Sequence, residues 1–503
     1  ALAATGIELL EYIPQNTYTA TIKGGLTEEL LQRVKARAVV ELLPEQKMAL
    51  SLVTGDIPIA ALRSQGMVDV WISYPRTVTY ESVTREMLLR KIEVISIPYE
   101  AYHVIAVRVA RDRLKELAGL SFVEYMQPAP GPDMGLNNKS KVLDRANVLQ
   151  SSIAGGRNLR GEGVVIGIGD ESNLLRHVDF TGRLINHAAL SAGDHGVLVA
   201  GVAAGAGLLQ EKYAGHMPKA KIVSQEFSKI LAYAPAYIQD YNMVITNNSY
   251  GNSADCQTFG IYDLYSRVMD EMALAYPHLQ NVFAAGNSGS SNCPPYPAGY
   301  HTVYGSYQSA KNVISVGNVS ELGIVSAGSS KGPVADGRIK PEIMAQGVNV
   351  YSSYPVNIYG PTSGTSMAAP AVSGGLGLLY QRYRQLHANT DPANGLMKAL
   401  LCNGATDAGN PGPDYLYGFG RMNLLRSVKM LENNNFFEST VNVAASTTHT
   451  VTLPAGIAQL KVMLYWNDEP AAMLSSHTLI NDLDLEVDDP SSVTTLPFIL
   501  DTL

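Results

Sequence analysis

Two rhythms of hydrophobic and polar positions divide this chain. In the middle, short apolar runs stand without alternation: Val164-Val165-Ile166-Gly167-Ile168 and Val282-Phe283-Ala284-Ala285. Such runs read as strands buried on both faces of a parallel sheet. Small-residue apolar runs follow His195 and Ser366 and read as helices. Buried strands interleaved with helices predict an α/β domain over residues 143–435, a parallel sheet with helices on both faces.

The flanks follow a different rhythm. Residues 1–127 carry two similar stretches. Ile7–Pro14, Tyr18–Ile22, an amphipathic helix and Val39–Pro44 make the first. Ile92–Pro98, Tyr102–Val107, a helix through Leu114–Leu117 and Phe122–Met126 make the second. Each reads strand, strand, helix, strand, and the two halves span 1–48 and 67–127. Residues 128–142 are rich in Pro and Gly and have the composition of an exposed linker. From 436 onward the pattern turns to strands again, at Val441–Val443, Thr448–Leu453 and Leu460–Trp466.

Composition narrows the function classes. The chain has 503 residues, 46% of them hydrophobic, with 45 Gly and 26 Pro, which suits a loop-rich α/β protein of several domains. Net charge is −8 and no basic patch points to nucleic acid. No apolar run reaches the roughly 18 residues that a membrane span needs. No signal peptide is visible at Ala1-Leu2-Ala3, so compartment rests on other features.

The chemistry gathers in four segments. Gly364-Thr365-Ser366-Met367-Ala368-Ala369-Pro370 puts a serine at the start of a helix, where free N–H groups favour developing negative charge. Asp170 stands at the C-terminal end of the first apolar strand, the edge where open α/β sheets place functional groups. His195 opens an apolar helix and would act as base toward Ser366, with Asp170 on its other ring nitrogen. Asn287 ends the strand at 282–285, and its N–H2 together with the Ser366 N–H would form an oxyanion hole.

The order Asp170, His195, Asn287, Ser366 resembles that of the subtilisin-like serine peptidases. Asn248-Ser249-Tyr250-Gly251, Ser330-Lys331-Gly332-Pro333, Lys340-Pro341-Glu342-Ile343 and Tyr417-Gly418-Phe419-Gly420 strengthen the resemblance, which covers roughly residues 145–435. The chain departs at Val197, where the family usually has Thr, a packing position more than a chemical one. The resemblance implies a serine endopeptidase working through an acyl-enzyme on protein or peptide substrates, with no cofactor for the chemistry. It also implies that Ser249, Tyr250 and Gly251 pair with substrate as an added strand. By the same analogy Ala284, Ala285 and Gly286 form a wall of the specificity pocket.

The flanks take their meaning from the same resemblance. The second N-terminal half looks like the ferredoxin-like inhibitor prodomain of subtilisins, an α+β unit whose tail lies through the active site. The expectation is a zymogen, inhibited by its own prodomain and cut between about residues 128 and 142. The C-terminal piece, 436–503, resembles the jelly-roll β-sandwich appended to several such peptidases. The rival reading is a latent or catalytically silent binding protein that keeps the fold.

Lesser signals remain. His177 and Asp179 mimic a catalytic pair but are expected to stabilise the loop after the Asp170 strand, and Asp194 adjoins His195 without facing it. Cys256 and Cys293 follow two segments expected to border one cleft, so a disulfide between them is expected, with Cys402 a buried free thiol. A disulfide implies an oxidising compartment: secreted, periplasmic or at the cell surface. Three free thiols in a cytosolic protein are the alternative. Asp468, Asp482, Asp484, Asp488 and Asp489 are weak candidates for structural Ca²⁺, against the plainer reading of solvated turn carboxylates.

Overall fold

The computed structural model describes residues 6–501, apart from 14–16, 59–60, 98, 131–138, 172, 190–192, 253–254, 473–474 and 476. Most of the linker expected to be processed lies outside the described residues. The chain divides into two compact units, Ala1–Leu136 and Asn137–Leu503.

In the first unit, β1 (Ile7–Ile13) and β2 (Thr17–Ile22) form a hairpin of their own. Then come β3 (Met67–Ser73), β4 (Glu93–Ile95), β5 (Val104–Ala110) and β6 (Tyr125–Pro128), in the antiparallel order β4-β5-β3-β6. The helix Tyr80–Leu89 connects β3 to β4, and the helix Leu114–Ala118 connects β5 to β6. This is the ferredoxin-like arrangement expected of residues 67–127. Val68, Val70 and Ile72 alternate along β3 and pack with Val83, Met87 and Leu117 from the two helices. The segment Val39–Leu43 differs from its expected strand. It joins no ladder among the described residues, Val40 and Leu43 are exposed, and Pro44 turns the chain into a short 3₁₀ helix. Without a partner strand, its apolar pattern has nothing to cover it.

The second unit is built on a seven-stranded parallel sheet. Its strands are β7 (Val165–Gly169), β8 (Leu184–Asn186), β9 (Lys221–Gln225), β10 (Met243–Asn248), β11 (Gln280–Ala284), β12 (Ile314–Val319) and β13 (Ile343–Gln346). The order is β13-β12-β11-β10-β7-β9-β8. Strands β7, β10, β11, β12 and β13 are buried along their whole lengths, which is why Val165–Ile168 of β7 and Val282–Ala284 of β11 read as unbroken apolar runs. On one face Ile166, Ile168, Val282 and Val316 pack against the helices His195–Ala204 and Thr365–Leu386. On the other Val165, Val223 and Phe283 pack against Tyr237 and Met269 of the helices Ala234–Tyr241 and Leu264–Ala275. A hairpin of β14 (Val350–Tyr354) and β15 (Ile358–Thr362) leads directly into Ser366.

The C-terminal stretch carries far less structure than the jelly roll expected over 436–503. Among its described residues one ladder forms, β16 (Val487–Asp488) with β17 (Thr494–Thr495). Val451, Leu453, Leu460 and Val462 stay exposed, so no second apolar face packs on the segments expected as strands. A buried ion pair holds this stretch within its unit. Lys311 Nζ lies 2.6 Å from Asp468 Oδ2 and donates to the Thr478 carbonyl at 2.7 Å.

Candidate active site

Strand register sets one edge of the site. Gly169 of β7 pairs with Asn248 of β10, and Asn248 pairs with Phe283 of β11. Asp170, Ser249 and Ala284 each come one residue later, so three segments singled out by sequence emerge together at the carboxyl edge of the sheet. This is the edge where ligands bind in open α/β folds.

Asp170 is fully buried, and both its carboxylate oxygens reach His195 Nδ1, at 2.8 and 3.0 Å. The Glu171 N–H also donates to Asp170 Oδ1 at 2.8 Å, fixing the carboxylate in place. Burial alone would favour the neutral imidazole. The hydrogen bond and charge of Asp170 outweigh it and hold the His195 pKa above its ordinary value. His195 begins its helix and keeps 34% of its side chain exposed. Its Nε2 makes no hydrogen bond among the described residues. Asp194 is not a rival to Asp170, because Arg176 takes its carboxylate at 2.8 Å.

Ser366 is the second residue of a 22-residue helix. Gly364 before it has φ of +144°, a conformation open to glycine, and this sharp entry presents the hydroxyl. Pro370 has no N–H to give the Ser366 carbonyl four residues back. The Ser249 hydroxyl donates to that carbonyl instead, at 3.0 Å. One proline thus ties the nucleophile helix to the end of β10. The Ser366 hydroxyl itself donates to the Ser249 carbonyl at 3.3 Å, and it makes no hydrogen bond to His195 among the described residues. Catalytic hydrogen bonds of this kind commonly tighten only when substrate is bound.

Asn287 is held at the other side. Its Oδ1 accepts from the Thr365 N–H at 3.0 Å and the Thr365 hydroxyl at 2.9 Å. These two donors fix which end of the amide is oxygen, so its N–H2 faces away from Thr365. Ser330, in a segment already singled out by sequence, steadies the same loop: its hydroxyl accepts from the Ser288 N–H at 3.1 Å.

The remaining sequence candidates sort cleanly. Cys256 and Cys293 form a disulfide that joins the loops after β10 and β11, while Cys402 is a buried free thiol. Burial holds the Cys402 pKa up at about 12. Asp179 is buried and accepts from Leu208 N–H, the Tyr359 hydroxyl and the Ser353 hydroxyl, at 2.9, 2.8 and 2.9 Å. Asp468 was a metal candidate, but its oxygens are taken by Lys311, the N–H groups of Ile480 and Asn481, and the Asn481 amide. A cation already occupies that carboxylate. Asp482 and Asp484 are exposed, and no cluster of three His, Cys, Asp or Glu capable of holding a metal occurs among the described residues. No described helix is long and apolar enough to cross a membrane. Sequence reasoning missed Gln308, whose amide donates to the carbonyls of Tyr250 and Ala284 at 2.8 and 3.1 Å. It lies in no motif, and only the fold reveals that it joins the two strand ends.

Comparison with known proteins places the chain in a family. The model of the "Subtilase family" matches residues 161–420, and a "Domain of unknown function (DUF8729)" matches residues 1–43. "Subtilisin DY" of Bacillus licheniformis is 38% identical over 149 residues, 28% of this chain and 44% of that protein. The match therefore spans under half of that relative's length. "Serine protease AprX" of Bacillus subtilis is 28% identical over 349 residues, 58% of this chain and 73% of that protein. The structure of the Clostridium perfringens CspB protease shares the fold, with a TM-score of 0.53 at 17% identity, covering 59% of this chain and 99% of that one.

Proposed function

The chain belongs to the subtilase family, and on that premise we propose that it is a serine endopeptidase that uses Ser366 as nucleophile. His195 takes the Ser366 proton as the hydroxyl attacks the peptide carbonyl, then returns it to the leaving amine. Asp170 holds the ring by Nδ1 and stabilises the imidazolium. The Asn287 N–H2 and the Ser366 N–H receive the oxyanion, and water later hydrolyses the acyl-enzyme. The observation that carries this reading is the buried Asp170 carboxylate on Nδ1 of a half-buried histidine, at the sheet edge to which Ser249 and Asn287 tie the Ser366 helix. Substrate would pair with the backbone at Ser249–Gly251, whose carbonyl at Ser249 now holds the resting hydroxyl.

Two finer readings accompany it. The ferredoxin-like sheet of β3 to β6 supports an inhibitory prodomain removed by cleavage between residues 128 and 142. The Cys256–Cys293 disulfide supports an oxidising compartment outside the cytosol.

An intact mass spectrum with a fluorophosphonate probe tests the main reading. One adduct on the wild-type chain, absent from Ser366→Ala, is the expected result. No adduct on either, with or without mild proteolysis, would contradict it. Processing is tested with the same variant: Ser366→Ala should stay uncut between 128 and 142, and cleavage there would mean that another protease does the work.

A further inference from the structure

The two strand ends beside the nucleophile do not enclose an empty slot. Asn248 and Phe283 are partners in the ladder, and the chains run on in step to Gly251 and Gly286. Between those two glycines lies the ring of Tyr304. A Cβ added at Gly251 would sit 2.4 Å from Tyr304 Cδ2, and one added at Gly286 would sit 2.4 Å from Tyr304 Cδ1. Opposite edges of one ring therefore press on two opposed glycines, and neither position has room for a side chain. Gly286 also has φ of +120°, which other residues rarely adopt.

The ring is fixed there. The Tyr304 N–H donates to the Ala285 carbonyl at 3.0 Å, and its carbonyl accepts from the Ser309 hydroxyl at 3.2 Å. Phe259, itself buried, stacks on the ring with centroids 6.0 Å apart. The Tyr304 hydroxyl lies 3.5 Å from Ser288 Oγ. Gln308 clamps both walls from below through the carbonyls of Tyr250 and Ala284.

We infer that Tyr304 is the floor of the pocket for the residue before the scissile bond, and that it limits this residue to Gly, Ala or Ser. The inference rests on the peptidase reading above. A carbonyl held between Ser366 and Asn287 belongs to a residue whose side chain points into the gap between 249–251 and 284–286, the segments that lead to those two groups. Tyr304 fills the depth of that gap, so aromatic, long aliphatic and basic side chains meet a packed ring. Close-packed sites resist added volume.

The test uses the full chain and a set of fluorogenic peptides that differ only at the residue before the cleaved bond. Fluorophosphonate labelling is measured first on each protein. With labelling established, wild type should favour Ala over Phe and Leu by about 50-fold or more in kcat/KM. Tyr304→Ala should raise cleavage after Phe and Leu by about 10-fold or more, with cleavage after Ala changed less than about 3-fold. Tyr304→Phe should keep the wild-type profile. Tyr304→Leu serves if the alanine variant fails to fold, and the wild-type ratio stands without either. Efficient cleavage after Phe or Leu by the labelled wild type would overturn the inference and leave the peptidase reading intact. So would a variant that changes every peptide by one factor, or labelled protein that cuts after no small residue. Absence of labelling would instead sink the peptidase reading on which the inference rests.

Discussion

The Asp170–His195 pair and the Asp144–His216 pair have the same composition and similar separations, 2.8 and 3.2 Å. Their surroundings differ. His216 keeps 2% of its side chain exposed, and both ring nitrogens are spent, Nε2 on Asp144 and Nδ1 on the Val202 carbonyl at 3.3 Å. His195 spends only Nδ1 and leaves Nε2 toward the cleft. A third neighbour pair, His177 and Asp179, is 3.8 Å apart and wholly buried, and burial holds the His177 pKa below its usual value. The same two residue types thus make a structural pair when both are shut inside the protein. They make a proton carrier when the ring stays partly open to solvent with one nitrogen unspent.

Breaking each pair should separate the two roles. Asp170→Asn should lower kcat by about 10⁴-fold, because the ring loses the acceptor that fixes its tautomer. His216→Gln should leave kcat within a few-fold yet lower stability by about 3–5 kcal/mol, since it strands Asp144 in the interior. Steady-state kinetics and denaturant unfolding of both variants check the contrast. A large kcat loss in His216→Gln would erase the distinction drawn here.

The oxyanion side comes next in size. Asn287→Ala should lower kcat by about 10²–10³-fold with KM little changed, the magnitude measured on a family relative. A raised KM with kcat unchanged would point to substrate binding instead.

The buried Lys311–Asp468 pair sharpens the contrast from the stability side. Lys311→Met should destabilise the second unit by about 3–5 kcal/mol, because Asp468 would stay buried without its cation. Limited proteolysis should then release the stretch after 436 sooner than in wild type, while fluorophosphonate labelling persists. Reduction of Cys256–Cys293 should have a smaller effect, about 2–4 kcal/mol for a loop of 37 residues. Thiol titration in denaturant should find one free thiol before reduction and three after.

Much of this site is legible in sequence because Asp170 and Asn287 follow apolar runs and His195 and Ser366 begin helices. Asp170 after β7, Ser249 after β10 and Asn287 beyond β11 inherit their positions from strands that are buried on both faces. Such strands leave a strong signal. The ferredoxin-like unit is legible in part: β4, β5, β6 and the helix Leu114–Ala118 overlap Ile92–Met126, whose pattern reads strand, strand, helix, strand, whereas β3 and the helix Tyr80–Leu89 lie outside that stretch. Legibility ends where position depends on long-range packing. Tyr304 precedes and Gln308 lies in the short 3₁₀ helix Ser306–Ser309, whose sequence has no period, and only tertiary contacts bring them against the ends of β10 and β11. The C-terminal stretch misleads in the opposite sense. Thr448–Leu453 alternates like a strand, yet alternation does not supply a neighbour, and Val451 and Leu453 remain exposed.

The central claim is that His195, positioned by Asp170, activates Ser366. The most direct test is the pH dependence of fluorophosphonate labelling at Ser366 in wild type and Asp170→Asn. The base must be neutral, and Asp170 raises the His195 pKa above 6.5, so wild-type labelling should climb through a single limb lying above that pH. In Asp170→Asn the limb should move to lower pH and its plateau should fall by orders of magnitude. The same sign governs stability: the contribution of the charged pair is complete below the ordinary imidazole pKa and is lost as pH rises through the raised one. Labelling that is flat with pH, or a limb that stays put when Asp170 becomes Asn, would contradict the account.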